Sequence, residues 1–116
     1  MALVTKVLLG LGLCLVFAVQ SVQAATIECA GVLLKSVVVE GNRDDGHFFQ
    51  NRIILSLDGE CGEKKYAHVD LTHPAFNAFL SVALAAKSAG KKVNIGLNTN
   101  SATSISYQLA YISLPE

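Results

Sequence analysis

The chain has 116 residues, 52% of them hydrophobic and 16% charged, with nine Lys or Arg balanced by nine Asp or Glu. Balanced charge leaves no basic stripe for nucleic acid, and a chain this short holds one domain.

In chain order, Lys6 precedes an apolar run from Val7 to Val19, and Val22-Gln23-Ala24 follows as a small-residue cleavage pattern. This predicts a secretory signal peptide over residues 1–24, cut near Ala24, with one domain over 25–116 and a secreted or periplasmic location. The run is shorter than the roughly 20 residues that cross a bilayer as a helix. No second such run follows, so no membrane span is expected. Cys14 lies inside the run behind Leu13, where lipid attachment wants a small residue, and reads as signal-peptide filler. Losing Lys6 leaves residues 25–116 one charge negative.

From Thr26 to Glu40 the run TIECAGVLLKSVVVE puts Ile27, Cys29, Leu33, Val37 and Val39 on one parity and predicts a long first strand. Gly31 inside it marks a bulge or a corner of the sheet. GNRDDGH is a turn, and a second strand follows from Phe48 to Leu57, completing a hairpin. DGECGEKK, residues 58–65, is a second turn that places Cys61 within reach of Cys29. In an oxidising compartment an even pair in a small domain reads as a disulfide, and closing a loop of this size stabilises by about 3.5 kcal/mol. The rival reading is two separate thiols or a metal pair. A zinc site wants further close-spaced ligands, and neither cysteine has a histidine or another cysteine within four residues.

A third strand runs from Tyr66 to Leu71. Thr72-His73-Pro74 starts a helix that reaches about Ala89, where Gly90 stops it beside Lys87, Lys91 and Lys92. Val93, Ile95 and Leu97 alternate in a fourth strand. After the polar loop NTNSAT, a fifth strand from Ser104 to Leu114 places Ile105, Tyr107, Leu109 and Tyr111 on one face. The fold class is mainly β (β+α). Five strands with one helix between strands 3 and 4, and a glycine inside a long first strand, predict an OB-fold-like Greek-key barrel. An open antiparallel sheet covered by one helix is the alternative.

At about 100° per residue, Leu80, Phe76, Ala83 and Phe79 form a bulky stripe suited to plugging the barrel. Ala75, Ala78, Val82, Ala85, Ala86 and Ala89 form a small-residue flank, and Lys87 is the only charge between Pro74 and Ala89. Alanine favours exposed helix surface through propensity alone. Small side chains also let helices approach closely, and we take Ala75, Ala78, Val82, Ala85 and Ala89 as an oligomer interface.

No catalytic constellation is visible. His47, His68 and His73 fall in a turn, a strand and a helix cap and read as surface or capping residues, and no serine sits in a nucleophile motif. NRDDGH looks like a calcium loop but carries Arg43 where an acidic ligand is needed. The expectation is therefore no enzyme, no cofactor and no metal. Tyr66 and Tyr107 are candidates for stacking on a sugar ring, with Tyr111 as a third aromatic. Asn98, Asn100, Ser101 and Thr103 are candidate hydrogen-bonding groups, although polar residues of this kind also make plain loops.

His73-Pro74, the Ala-rich helix to Ala89, Gly90-Lys91 and the terminal strand from Tyr111 to Leu114 resemble the small exported proteins related to the B subunits of AB5 toxins, in particular the subtilase-cytotoxin B-like type. The resemblance spans about half of residues 25–116. It implies an OB-fold, a pentameric ring with helices around a central pore, glycan binding on the outer barrel surface and a catalytic toxin subunit as partner. The chain departs from that pattern in having Asn98 and Asn100 where a cysteine often follows the fourth strand. The expected function is a secreted or periplasmic, non-enzymatic, glycan-binding homo-oligomer. The alternative is a periplasmic inhibitor or immunity-type protein that acts by protein contact.

Overall fold

The two ends of the β-sheet are consecutive in the chain. In the computed structural model, which describes residues 25–116, β1 (Thr26–Val32) and β2 (Leu34–Glu40) are separated by Leu33 alone. They are followed by β3 (Arg52–Cys61), β4 (Lys64–Asp70), α1 (Phe76–Ala89), β5 (Val93–Ala102) and β6 (Ser106–Ser113). The spatial order is β1-β5-β6-β4-β3-β2. Neighbours are antiparallel except β4 and β6, which run parallel. The predicted signal peptide lies outside the described residues.

The sheet thus has six strands rather than the five expected. The run from Thr26 to Glu40 breaks because Gly31 turns at φ 65°, the register with β5 shifts between Cys29 and Val32, and the chain then leaves β5 to pair with β3. One sequence run supplies both ends of the sheet. The Cys29–Cys61 disulfide, with Cα atoms 6.1 Å apart, links β1 to the end of β3.

Cross-strand pairs build the interior: Ile53 faces Val69, Leu55 faces Ala67 and Leu97 faces Leu109, all at most 1% exposed. Each large apolar side chain buried this way contributes about 1.5–3 kcal/mol. α1 closes over this core with Ala83 and Ala86 fully buried, while Phe76, Phe79 and Leu80 are half-buried and pack against it. Ala86, read from sequence as part of the small flank, belongs to the inward face. The helix begins at Phe76, two residues beyond the expected start. Pro74 and Ala75 form a turn in which His73 Nδ1 accepts the Ala75 N–H at 3.0 Å and the His73 carbonyl accepts the Phe76 N–H at 3.1 Å. Gly90 ends it in the left-handed conformation, its N–H directed at the Ala86 and Lys87 carbonyls. Among the described residues no helix is long and apolar enough to cross a membrane.

Other boundaries move for local reasons. Phe48 and Phe49 lie in the turn before β3, not in the strand. Asp58-Gly59 reads as a turn but is accommodated inside β3, with Gly59 at φ 105° and a register shift between Ser56 and Cys61. The β3–β4 connection shrinks to Gly62-Glu63, both at positive φ (61° and 70°), as a two-residue hairpin demands. A Cβ on Gly62 would lie 2.6 Å from Ile27 Cδ1 and 3.1 Å from Tyr107 Cε2. Gly62→Ala is therefore expected to cost about 2–4 kcal/mol from left-handed strain plus overpacking, read as a lower urea midpoint with unchanged slope.

β5 absorbs most of the expected NTNSAT loop and runs to Ala102. The expected common face of Ile105, Tyr107, Leu109 and Tyr111 does not form, because the β5–β6 register shifts between Gly96 and Leu97. Beyond Leu109 the parity inverts. Ile112, opposite Ile95, packs against the core, while Tyr111 lies against Gly96 with 36% exposure. A Cβ on Gly96 would collide with the Tyr111 ring.

Candidate functional site

Residues paired in register across adjacent strands line up in rows. One row is Ser36, Ser56, Tyr66 and Ser106, from β2, β3, β4 and β6. Tyr66 is half-buried and its ring is 6.5 Å from that of Phe49, which is 4.9 Å from that of Phe48. On its other side a recess of ≈ 270 Å³ is lined by Glu60, Glu63, Lys64, Lys65, Tyr66, Ser104 and Ile105. Phe48 and Ile105 are 55% and 42% exposed, so an apolar line extends from the loop before β3, across Tyr66, to the β5–β6 turn. Large exposed apolar groups clustered on one face mark interaction sites more often than scattered ones do.

Within this recess Lys64 is committed to structure. Its Nζ donates to the Thr103 and Ser104 carbonyls at 3.2 and 3.1 Å and stands 5.1 Å from the Tyr107 ring centroid. Lys65 is exposed and adds a cation to a lining that also holds Glu60 and Glu63. The recess therefore offers one aromatic face, one aliphatic face, a hydroxyl and both signs of charge. That mixture suits a ligand with an apolar side and hydroxyl edges.

The six residues predicted to bind ligand are not brought together. Tyr66 lines the recess just described. Asn98, Asn100 and Ser101 line a second one, also ≈ 270 Å³, with Ala25, Thr26 and Thr99. There Asn98 Nδ2 donates to Gln108 Oε1 at 3.0 Å and Thr99 Oγ1 donates to the Ala25 carbonyl at 2.7 Å. Tyr107 packs against the core beneath Lys64. Thr103 stands behind the first recess in a hydrogen-bonded cluster. A third recess, ≈ 390 Å³, is formed by Glu28, Cys29, Ala30, Asn94 and Tyr111. Partial desolvation, then the neighbouring Glu28 carboxylate, raises the Tyr111 phenol above its ordinary value. Sequence reading missed Ile105, Ser104 and Lys65. The sequence places Ile105 on one face with Tyr107, Leu109 and Tyr111 and so does not single it out, and the proximity of the two hairpin ends is a tertiary fact.

The histidines divide. His47 is exposed and its Nδ1 accepts the Phe49 N–H at 3.2 Å, and His73 caps the entry to α1. His68 departs from the surface reading: it is 4% exposed, with Nδ1 2.7 Å from Ser106 Oγ. The middle of β3 and β4 is covered on both faces, from Ile53 to Leu55 and from Ala67 to Val69, so outward parity there does not mean exposure. Burial, followed by the positive charge of Arg52, lowers the His68 imidazole below its ordinary range, while Asp70 acts in the opposite sense.

The NRDDGH turn is organised by its arginine. Arg43 donates to Glu40 at 3.1 and 3.2 Å and to Asp45 at 2.6 and 3.0 Å, and its hydrogen bonds hold the Asp45 carboxyl below the ordinary carboxylate range. Among the described residues, no three His, Cys, Asp or Glu side chains gather as a metal site. Comparison with family models and with curated proteins finds no match to this chain.

Proposed function

We propose that this chain is a secreted or periplasmic, non-enzymatic binding module that takes an oligosaccharide in the Tyr66 recess. The observation that carries this reading is the exposed line from Phe48 through Tyr66 to Ile105 ending in a recess with polar rims. An OB-fold reading supports it. Counted as one coiled strand, β1 and β2 leave five strands with the helix between the third and fourth. In that fold the faces of strands 2 and 3 and the loops 1–2 and 4–5 bind oligosaccharides or oligonucleotides. Their counterparts here are β3, β4, residues 41–51 and residues 103–105. The recess is lined from β3, β4, the turn between them and the last of these segments, and Phe49 of residues 41–51 stands beside Tyr66. The near-neutral charge favours the sugar. Screening the purified protein on a glycan array tests this: selective binding to one class of oligosaccharide is expected. Binding to none, together with co-purification of a stoichiometric protein partner, would favour the inhibitor reading instead.

In the same proposal the module is a ring, a pentamer with a catalytic toxin subunit as cargo. The outer face of α1 supports self-association: Asn77, Ala78, Ser81, Leu84, Ala85 and Ser88 are exposed and none is charged, and Leu84 is 47% exposed. Of the five residues assigned to the interface, Ala78, Ala85 and Ala89 are exposed, and Ala75 and Val82 are half-buried. The mass in solution is expected to be a multiple of the single chain, and Ala85→Glu is expected to reduce it to that of one chain. A single-chain mass for the unaltered protein rejects the ring.

A further inference from the structure

We propose that His68 is a pH latch on the recess, such that protonation of its imidazole releases the turn from Thr103 to Ser106 that forms one wall. The consequence for ligand retention rests on the recess assignment above; the latch itself does not.

The geometry is a continuous chain of hydrogen bonds. His68 Nδ1 lies 2.7 Å from Ser106 Oγ, which lies 2.7 Å from Thr103 Oγ1. Thr103 Oγ1 accepts the Ser106 and Ile105 N–H groups at 3.0 and 3.3 Å, and the Thr103 N–H donates to the Ser106 carbonyl at 2.8 Å. His68 and Ser106 are both buried, whereas Ile105, at the far end of the chain, is exposed and lines the recess with Ser104. A buried side chain is thereby tied to a recess wall.

With a neutral imidazole bearing its proton on Nε2, every hydroxyl is satisfied in one direction: Thr103 donates to Ser106, and Ser106 donates to Nδ1. Protonation puts a hydrogen on Nδ1, so Ser106 Oγ must accept it and turn its own hydrogen toward Thr103 Oγ1. That oxygen already receives two N–H groups, and the Thr103 hydroxyl is left with the Ser106 carbonyl at 3.5 Å, the limit of a useful bond. Among the described residues, the register neighbours of His68 bring no carboxylate to the new charge. Ile54 of β3 and Gln108 of β6, which flank His68 in register, carry none. The charges that act on the ring are Arg52 and Asp70, which are paired with each other at 2.8 Å.

The direction follows from linkage. Because burial favours the neutral form, the folded protein binds a proton at His68 less readily than the unfolded chain does. The stability this gives is fully present above the ordinary value of 6.5 and is lost as pH falls below it.

An NMR titration of the purified exported protein from about pH 8 to about pH 5, without ligand, tests the latch. The His68 ring is expected to titrate with a midpoint below 6.5, and the Thr103, Ser104 and Ile105 amides to shift with the same midpoint. In Ser106→Ala the ring still titrates and the amides no longer follow. Thr103→Val breaks the same chain from its exposed end, with the same expectation, should Ser106→Ala fail to fold. Amides that do not move with His68, or that still follow it in these variants, overturn the latch. Absence of sugar binding at neutral pH bears on the recess assignment alone.

Discussion

Replacing both bridged cysteines, Cys29→Ala with Cys61→Ala, is expected to lower the stability of the folded domain by about 3–4 kcal/mol. The bridge spans 32 residues and joins β1, at one edge of the sheet, to the end of β3, the neighbour of β2 at the other edge. Without it, the unfolded chain regains the freedom that the closed loop removes. A domain this small has little core to spare, so thermal denaturation is expected to show a fall in Tm on the order of 15–20 °C. Reduction of the native protein should reproduce the shift. A change of only a few degrees would mean that the β1–β5 pairing and the packing of Ile27 hold β1 to the sheet without the bridge. Gly62, next to Cys61, packs against Ile27 of β1, so the same corner is fixed twice.

The second large effect concerns binding. Tyr66→Ala is expected to weaken oligosaccharide binding about tenfold or more, the loss of roughly 1.4 kcal/mol of ring contact. Thermal stability should change little, because Tyr66 sits half-buried on the outer face. Tyr107→Ala should behave the other way. Its ring packs against the core beneath Lys64, so its loss is expected to cost about 3 kcal/mol of stability, visible as a lower urea midpoint. The two tyrosines, both named from sequence as stacking candidates, are thus separable by one pair of measurements.

Much of the architecture is readable along the chain, and the reasons for the exceptions are physical. Period-two alternation identifies β3, β4 and β5, and Gly90 and the paired cysteines mark the helix end and the bridge. What alternation does not carry is the second dimension of the sheet. The corner after Gly31 splits one run into two strands at opposite ends, and the register shift at Gly96 turns Tyr111 outward and Ile112 inward. Turn formers mislead at Asp58-Gly59, where β3 absorbs the irregularity and the reversal occurs at Gly62-Glu63. The recess follows the same rule. Tyr66 is identifiable as an aromatic on a strand, but its neighbours Ser104 and Ile105 come from about forty residues away through the parallel β4–β6 pairing. His68 is the sharpest case: its outward parity suggests exposure, and the covered middle of β3 and β4 buries it.

The recess is the central assignment, and a ¹H–¹⁵N titration of the folded protein with the tightest-binding oligosaccharide of a glycan panel tests it most directly. Shifts gathered on Lys65, Tyr66, Ser104 and Ile105 are the expected result. Shifts gathered instead on Asn98 to Ser101, or around Glu28 and Tyr111, or no oligosaccharide that binds, would contradict it.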